Sequence, residues 1–201
     1  FSSTSETFTA GNDLGDFMQN PPQDESAPVF RFIRALGAFE KPLVAAVDGK
    51  AVGLGFTMLL HCDFVYVTER ASLTTPFVNL GLVPEAASSL ILPALVGHRV
   101  ASEILILGEA VSGTRAAQLG IANAVVAPDQ VEAKALEVAR VLGEKPPTAL
   151  KLTKKLLRDT KVLHERMSIE GDLFVKQLAS PEVAEAIGAF FEKRKPDFSK
   201  L

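Results

Sequence analysis

Residues 42–67 read PLVAAVDGKAVGLGFTMLLHCDFVYV. The first part, 42–48, is a short apolar run rich in β-branched residues and bounded by proline and Asp48-Gly49, as in a buried strand that ends in a turn. A glycine turn, 49–55, leads into 56–62, which has the length and residue types of a buried helix, and 63–67 is the next strand. The order strand, glycine turn, helix, strand indicates a βαβ-like unit and therefore an α/β layered fold.

The pattern downstream of this unit changes from mixed to helical. Residues 71–75 predict another short strand, and 85–95 predict a helix that begins after Pro84, with Glu85 in the first turn, where the helix dipole favours an acidic side chain. From Asp129 onward the pattern is helical, with segments at 131–142, 149–158, 162–177 and 181–193. We therefore expect an α/β core over 1–128 and a helical region over 129–201. Residues 20–28, rich in proline, form a candidate mobile flap.

Composition narrows the class of protein. The chain has 201 residues, 47% of them hydrophobic, enough for one substantial core, and a net charge of −3. That charge provides no basic field for nucleic acid or an anionic membrane, and no apolar run has the roughly 20 residues of a spanning helix. The single cysteine, Cys62, indicates a reducing compartment. We expect a soluble protein, cytoplasmic if it is bacterial, although Ser199-Lys200-Leu201 spells a peroxisomal signal.

Two glycine turns are candidates for binding an anion through the main chain. In FTAGNDL, 8–14, Gly11 permits an unusual backbone angle that lets the Asn12 amide point into a cavity. The turn before Phe56 frees N–H groups at a helix start. Each motif is also compatible with an ordinary turn, and the second lacks the spacing of a phosphate-binding P-loop.

Glu85 is the candidate acid/base. It lies among small and apolar residues in VPEAASSL, 83–90, and such surroundings raise a carboxyl pKa toward neutrality. The alternative is that Glu85 only occupies a helix N-terminus. The histidines, His61, His98 and His164, are widely separated, so we predict no metal site and expect each to be a partly buried or surface residue. Acyl-enzyme chemistry has little support, because the sequence lacks a Gly-x-Ser-x-Gly motif and Ser88 and Ser89 have no assignable base.

Several motifs, in order along the chain, resemble those of the enoyl-CoA hydratase/isomerase, or crotonase, family. They are FTAGNDL at 8–14, KPLVAAVDG at 41–49, Cys62-Asp63, SGTRAAQLG at 112–120 and FEKRKPDF at 191–198. The resemblance implies a crotonase-like ββα superhelix, or spiral, with a C-terminal helical region for oligomerisation. It also implies an acyl-CoA thioester substrate, no cofactor beyond the coenzyme A of that substrate, and a homotrimer or hexamer. Two backbone N–H groups, of Asn12 and Leu54, would hold the thioester oxygen.

The subclass follows from departures within the family. Hydratases use two glutamates, and the matching positions here are Thr57 and Phe77. Residues 74–89 instead resemble the peroxisomal-type Δ3,Δ2-enoyl-CoA isomerases, whose glutamate corresponds to Glu85. The resemblance thus implies that a 3-enoyl-CoA is converted to the 2-trans isomer. Three alternatives stay open: a hydratase, another crotonase-type acyl-CoA lyase or hydrolase, and a non-catalytic homologue that binds acyl-CoA or RNA, with RNA disfavoured by the acidic balance.

The resemblance implies further substrate-binding residues, namely Ala10, Gly11, Asp13, Leu14, Gly53, Phe77, Asn79, Leu80 and Lys193. The cationic segment Lys193, Arg194 and Lys195 would lie near the CoA phosphates, in relatives sometimes those of a neighbouring subunit, or form a solvated helix end. Asn79 would anchor a water or the Glu85 loop, or only shape a turn. Family members begin well before the 8–14 motif. We therefore expect the family's N-terminal strands to be missing and a sheet edge to be exposed.

Overall fold

The computed structural model describes residues 1–3 and 5–201, with only the main chain at Lys200. Seven short strands are described: β1 (Thr7–Thr9), β2 (Val44–Val47), β3 (Lys50–Val52), β4 (Phe64–Val67), β5 (Ser72–Thr74), β6 (Val111–Ser112) and β7 (Ala124–Val125). The helices of the described part are α1 (Leu14–Gln19), α2 (Pro28–Ala38), α3 (Leu54–Thr57), α4 (Ser88–Val96), α5 (His98–Leu105), α6 (Gly113–Gln118), α7 (Val131–Gly143), α8 (Pro147–Leu157), α9 (Thr160–Leu178) and α10 (Pro181–Phe191). Among these residues no helix combines the length and apolarity needed to cross a bilayer.

The strands form two sheets, and the chain moves repeatedly from one to the other. One sheet has the order β1-β3-β5-β6 and the other β2-β4-β7. All pairings are parallel except that of β5 with β6. The pairs β2–β3 and β4–β5 each add one strand to each sheet before a helix follows, and in the last pass α6 lies between β6 and β7. This repeated strand, strand, helix order is the ββα spiral that the family resemblance implies.

Only two residues, Asp48 and Gly49, separate β2 in one sheet from β3 in the other. Gly49 has a φ of +80°, and a Cβ there would overlap the Glu6 carbonyl oxygen, so glycine is required. The neighbouring Asp48 carboxylate accepts hydrogen bonds from the Thr68 hydroxyl at 2.6 Å and from Arg70, both in the corner between β4 and β5. The two successive corners are thereby joined.

Two apolar clusters organise the interior. The first lies around the sheets and includes Val47, Val67 and Leu73. The second joins α2, α9 and α10 to the loops after β5 and includes Phe30, Phe174 and other apolar side chains. Leu54 packs against both clusters. The start of α3 therefore lies where the two meet.

Polar contacts dock the helical region on the core. The buried Lys154 ammonium on α8 donates to the Lys41 carbonyl and to the Asp63 carboxylate, each at 2.7 Å. Arg158 donates to the Leu60 and His61 carbonyls at 2.7 and 3.0 Å. The end of α8 therefore caps the short 3-10 turn Met58–His61 that continues α3.

Most predicted elements are present, with shifted boundaries. The predicted helix at 56–62 begins earlier, at Leu54, and ends as a 3-10 turn, and the predicted strands at 63–67 and 71–75 are β4 and β5. The edge strand β2 is partly covered, because the Phe1 ammonium donates to the Val44 carbonyl at 2.7 Å and the Ala46 N–H donates to the Phe1 carbonyl at 2.9 Å.

The predicted helix over 85–95 is wrong at its start. Helix α4 begins at Ser88, because Ala86 and Ala87 have φ values of 58° and 56°, in the left-handed region. A right-handed helix cannot pass through two such residues. Glu85 consequently lies in the preceding loop, outside the first turn in which it was expected.

Candidate active site

A largely apolar cavity of about 420 Å³ lies between the 8–14 loop, the start of α3, the segment after β5, and helices α9 and α10. Its lining contains Ala10, Gly11, Asn12, Leu14, Phe17, Val52, Gly53, Leu54, Pro76, Phe77, Asn79, Leu80, Leu82, Phe174, Ala186, Phe190, Arg194 and Pro196. Most of the predicted site residues are therefore brought together. A larger groove of about 760 Å³ beside α7 and α8 contains none of them.

Two glycines bring the candidate amides into one wall of this cavity. Gly11 has a φ of +83°, and a Cβ there would lie 2.5 Å from the Val52 carbonyl oxygen and 3.6 Å from the Leu54 nitrogen. Gly53, with φ 55° and ψ −119°, directs the chain into α3. The main chain around Asn12 and the first N–H of α3 are thus close neighbours, as an oxyanion hole requires.

Neither amide is used elsewhere in the described part of the chain. Within those residues, the Asn12 and Leu54 N–H groups donate to no main-chain or side-chain acceptor. The Leu54 N–H is the first of α3, where helical geometry leaves the donor unsatisfied and the helix dipole favours an anion. This wall of the cavity can therefore stabilise negative charge on a thioester oxygen.

Two predicted substrate-binding residues do not line the cavity. The Asp13 carboxylate caps α1, accepting from the Gly15 and Asp16 N–H groups at 2.7 and 3.2 Å. Lys193 is exposed just after α10. Its neighbour Arg194 lines the cavity instead and pairs with Glu185 and Glu192.

Glu85 is buried behind the cavity wall. Its side chain is 3% exposed and accepts a hydrogen bond at Oε1 from the Thr57 hydroxyl, at the end of α3. Its Oε2 has no hydrogen-bond partner among the described residues. Glu85 is outside the lining of the 420 Å³ cavity and borders a much smaller one, of about 10 Å³. The carboxyl is therefore close to the end of α3 but does not line the 420 Å³ cavity.

Burial controls the ionisation of Glu85. Removal from water raises the pKa of its carboxyl from 4.5 to about 8; the Thr57 hydrogen bond opposes this effect and the charge of Glu170 adds to it. A carboxyl with a pKa near neutrality can accept and return a proton at physiological pH. The acid/base role of Glu85 stays a prediction.

Glu170 and His61, which sequence reasoning did not assign to the site, hold the loop that follows Glu85. The Glu170 carboxylate, on α9, accepts from the Ala87 N–H at 2.6 Å, the Ser89 N–H at 3.0 Å and the Ser89 hydroxyl at 2.6 Å. On the opposite side, His61 Nε2 lies 2.7 Å from the Ala86 carbonyl oxygen. No local motif could reveal these contacts, because Glu170 is more than 80 residues from its partners.

The three histidines lie in different elements of the fold, and one of them, His61, is more deeply buried than expected. His61 is fully buried, which lowers its pKa to about 4, so the ring is neutral near pH 7. Because a carbonyl oxygen only accepts, Nε2 carries the proton in the bond to Ala86. His98 is exposed, and His164 contacts the Arg34 carbonyl at 3.1 Å. His61 therefore acts as a neutral hydrogen-bond donor that holds the Glu85 loop.

Comparison with known proteins gives the family. The enoyl-CoA hydratase/isomerase family model matches residues 1–200. The chain belongs to this family. It is 42% identical to the solved structure of an enoyl-CoA hydratase/isomerase from Pseudoalteromonas atlantica, with a TM-score of 0.92, over 98% of this chain and 79% of that one.

Curated members of the family carry two kinds of name. The chain is 33% identical to the 2,3-dehydroadipyl-CoA hydratase of Escherichia coli, over 95% of this chain and 76% of that protein. It is 30% identical to enoyl-CoA delta isomerase 2 of Rattus norvegicus, over 98% of this chain and 52% of that protein. The chain is accordingly an acyl-CoA enzyme of the hydratase/isomerase type, and hydratase names are the more frequent among its relatives.

The positions that the resemblance matches to the two hydratase glutamates hold no carboxyl group in this family member. Phe77 forms part of the apolar cavity wall, and Thr57 is fully buried and hydrogen-bonded to Glu85. The cavity lining, among the residues described, includes no aspartate or glutamate. The carboxyl that is hydrogen-bonded to α3 is that of Glu85.

Proposed function

We propose that the protein is a Δ3,Δ2-enoyl-CoA isomerase that moves the double bond of a 3-enoyl-CoA to the 2-trans position. The observation that carries this proposal is the buried Glu85 carboxyl, which is hydrogen-bonded to Thr57, the last residue of the short helix α3 whose first residue lines the cavity. Thr57 and Phe77 occupy the positions at which a hydratase would carry its two glutamates. Similarity to enoyl-CoA delta isomerase 2 supports the same assignment.

The proposed reaction needs one carboxyl and two amides. The Glu85 carboxylate takes a proton from C2, and the electrons of that C–H bond delocalise into the thioester, placing negative charge on its oxygen. The N–H groups of Asn12 and Leu54 stabilise this dienolate. Glu85 then returns the proton to C4, and the double bond lies between C2 and C3. No proton is gained or lost overall.

The acyl chain must reach the carboxyl for this transfer. The 420 Å³ cavity has apolar walls suited to an acyl chain, yet Glu85 lies behind Leu54 and Thr57. The proposal therefore requires that substrate binding displaces the Leu54 side chain, which packs where the two apolar clusters meet, while the Leu54 N–H stays in place. The oligomeric state, the absence of a separate cofactor and the peroxisomal signal stay predictions.

A spectrophotometric assay of the purified protein with a 3-enoyl-CoA and a 2-enoyl-CoA in parallel tests the proposal. We expect the 3-enoyl-CoA to be converted to the conjugated thioester and the 2-enoyl-CoA to remain unhydrated. Water addition to the 2-enoyl-CoA, faster than conversion of the 3-enoyl-CoA, would establish the hydratase alternative that most relatives' names favour.

A further inference from the structure

We propose that Glu170 is the positioning residue for Glu85: its carboxylate fixes the left-handed Ala86–Ala87 turn that directs the Glu85 side chain to the end of α3. This inference rests on the proposed function. It concerns a second buried acid, on α9, which does not line the 420 Å³ cavity.

Among the described residues, the hydrogen bonds to the Glu170 carboxylate come from Ala87 and Ser89, shortly after Glu85. The side chain is 4% exposed, its Oε2 accepts from the Ala87 N–H, and its Oε1 accepts from the N–H and hydroxyl of Ser89. A buried carboxylate is tolerated only when such donors satisfy it. Helix α4 begins at Ser88 and has no acidic residue in its first turn. The Glu170 carboxylate, from α9, takes the place of that acid at the N-terminus of α4.

The backbone that Glu170 holds is strained. Two successive alanines in the left-handed region are uncommon, and such conformations persist only where the surroundings enforce them. Here His61 holds the Ala86 carbonyl and Glu170 holds the Ala87 N–H. Without Glu170, residues 86 and 87 are free to relax toward right-handed helix, which would turn Glu85 away from Thr57.

The charge of Glu170 also acts on Glu85, because like charges disfavour each other's ionisation and raise the pKa of the Glu85 carboxyl. Other polar and charged groups lie near the two acids. They are Thr57 at the end of α3, His61 in the 3-10 turn that follows it, Glu25 just before α2, Arg34 on α2 and Arg166 on α9. Glu25 and Arg34 pair with each other, whereas the charge of Glu170 raises the pKa of the Glu85 carboxyl.

The experiment compares Glu170→Gln, Glu170→Asp and Glu170→Ala with Glu165→Gln, which removes an exposed carboxylate from the same helix. We expect kcat for the 3-enoyl-CoA to fall on the order of 10²-fold in Glu170→Ala, because small displacements of a catalytic group have effects of that size, while KM changes little. Glu170→Gln should move the pH midpoint of kcat/KM to lower pH, and Glu170→Asp should return it toward the wild-type value. Glu165→Gln should match the wild type in both respects.

A titration of Glu85 by ¹³C NMR, in the wild type and in Glu170→Gln, provides a readout that does not depend on activity or on the folding of the alanine variant. A lower Glu85 midpoint in Glu170→Gln supports the inference even if the wild type turns out not to isomerise 3-enoyl-CoA, in which case only the proposed function fails. An unchanged Glu85 midpoint in Glu170→Gln, or a Glu170→Ala variant that keeps kcat within twofold of the wild type, would overturn it.

Discussion

Replacing Glu85 with glutamine should change how the stability of the protein depends on pH. Glutamine keeps an oxygen that can accept the Thr57 hydrogen bond but has no proton to lose. In the wild type the folded carboxyl has a pKa of about 8 against an ordinary 4.5. The folded state therefore binds one more proton than the unfolded state between these values, and stability falls as pH rises through that window.

The size of this effect follows from the two pKa values. At about 1.4 kcal/mol for each tenfold change in proton affinity, the difference corresponds to on the order of 5 kcal/mol of unfolding free energy lost between about pH 4.5 and pH 8. That is a large part of the total stability of an ordinary domain. The stabilisation by the neutral carboxyl is complete below pH 4.5 and is lost as pH passes the folded pKa.

Urea unfolding followed by circular dichroism, at several pH values from about 5 to 9, measures this difference. We expect the unfolding free energy of Glu85→Gln, relative to the wild type, to rise by several kcal/mol across the series. Glu165→Gln, which changes an exposed carboxyl, should run parallel to the wild type. Parallel curves for Glu85→Gln and the wild type would show that Glu85 is ionised in the folded protein and would refute the reasoning.

Three further predictions concern helix α3 and the corner between β2 and β3. Leu54→Pro removes one amide donor at a helix position that accepts proline, so we expect kcat to fall about 10²–10³-fold while the far-ultraviolet circular dichroism stays unchanged. Leu54→Ala keeps the N–H and should lose much less of kcat. Equal losses of kcat in the two variants would contradict the amide's role. Thr57→Val removes the hydrogen bond that lowers the pKa of Glu85, so the pH–rate profile should move to higher pH; a move to lower pH would count against the assignment of Glu85 as base. Gly49→Ala places a Cβ against the Glu6 carbonyl at a φ of +80° and should destabilise the fold by about 1–3 kcal/mol, measured by urea unfolding; a neutral result would mean that the corner is not constrained.

Local patterns predicted the parts of the fold that depend on local rules. The strand at 44–47 and the glycine turn that leads into a helix follow from β-branched residues bounded by Asp48-Gly49, although the helix begins two residues before the predicted Phe56. The assignment of successive strands to alternate sheets depends instead on non-local pairing, such as that of β4 with β7. For that part the family resemblance was needed.

The features of the candidate site likewise divide into those that local motifs mark and those that depend on contacts between distant residues. Glycines mark the two turns in the sequence, and the family resemblance assigned the amides of Asn12 and Leu54 within them. The left-handed pair Ala86 and Ala87 could not be predicted, since alanine ordinarily favours the right-handed helix and the carboxylate that holds Ala87 comes from Glu170, far along the chain. The pattern at 85–95 therefore predicted a helix one turn too early.

Turnover of a 3-enoyl-CoA by Glu85→Gln, at the pH of maximal wild-type rate, tests most directly whether one buried carboxyl moves the proton. We expect a fall of about 10²–10⁴ in kcat, the usual contribution of a general acid–base group, with the amides still binding the thioester. Turnover by Glu85→Gln at the wild-type rate would contradict the account.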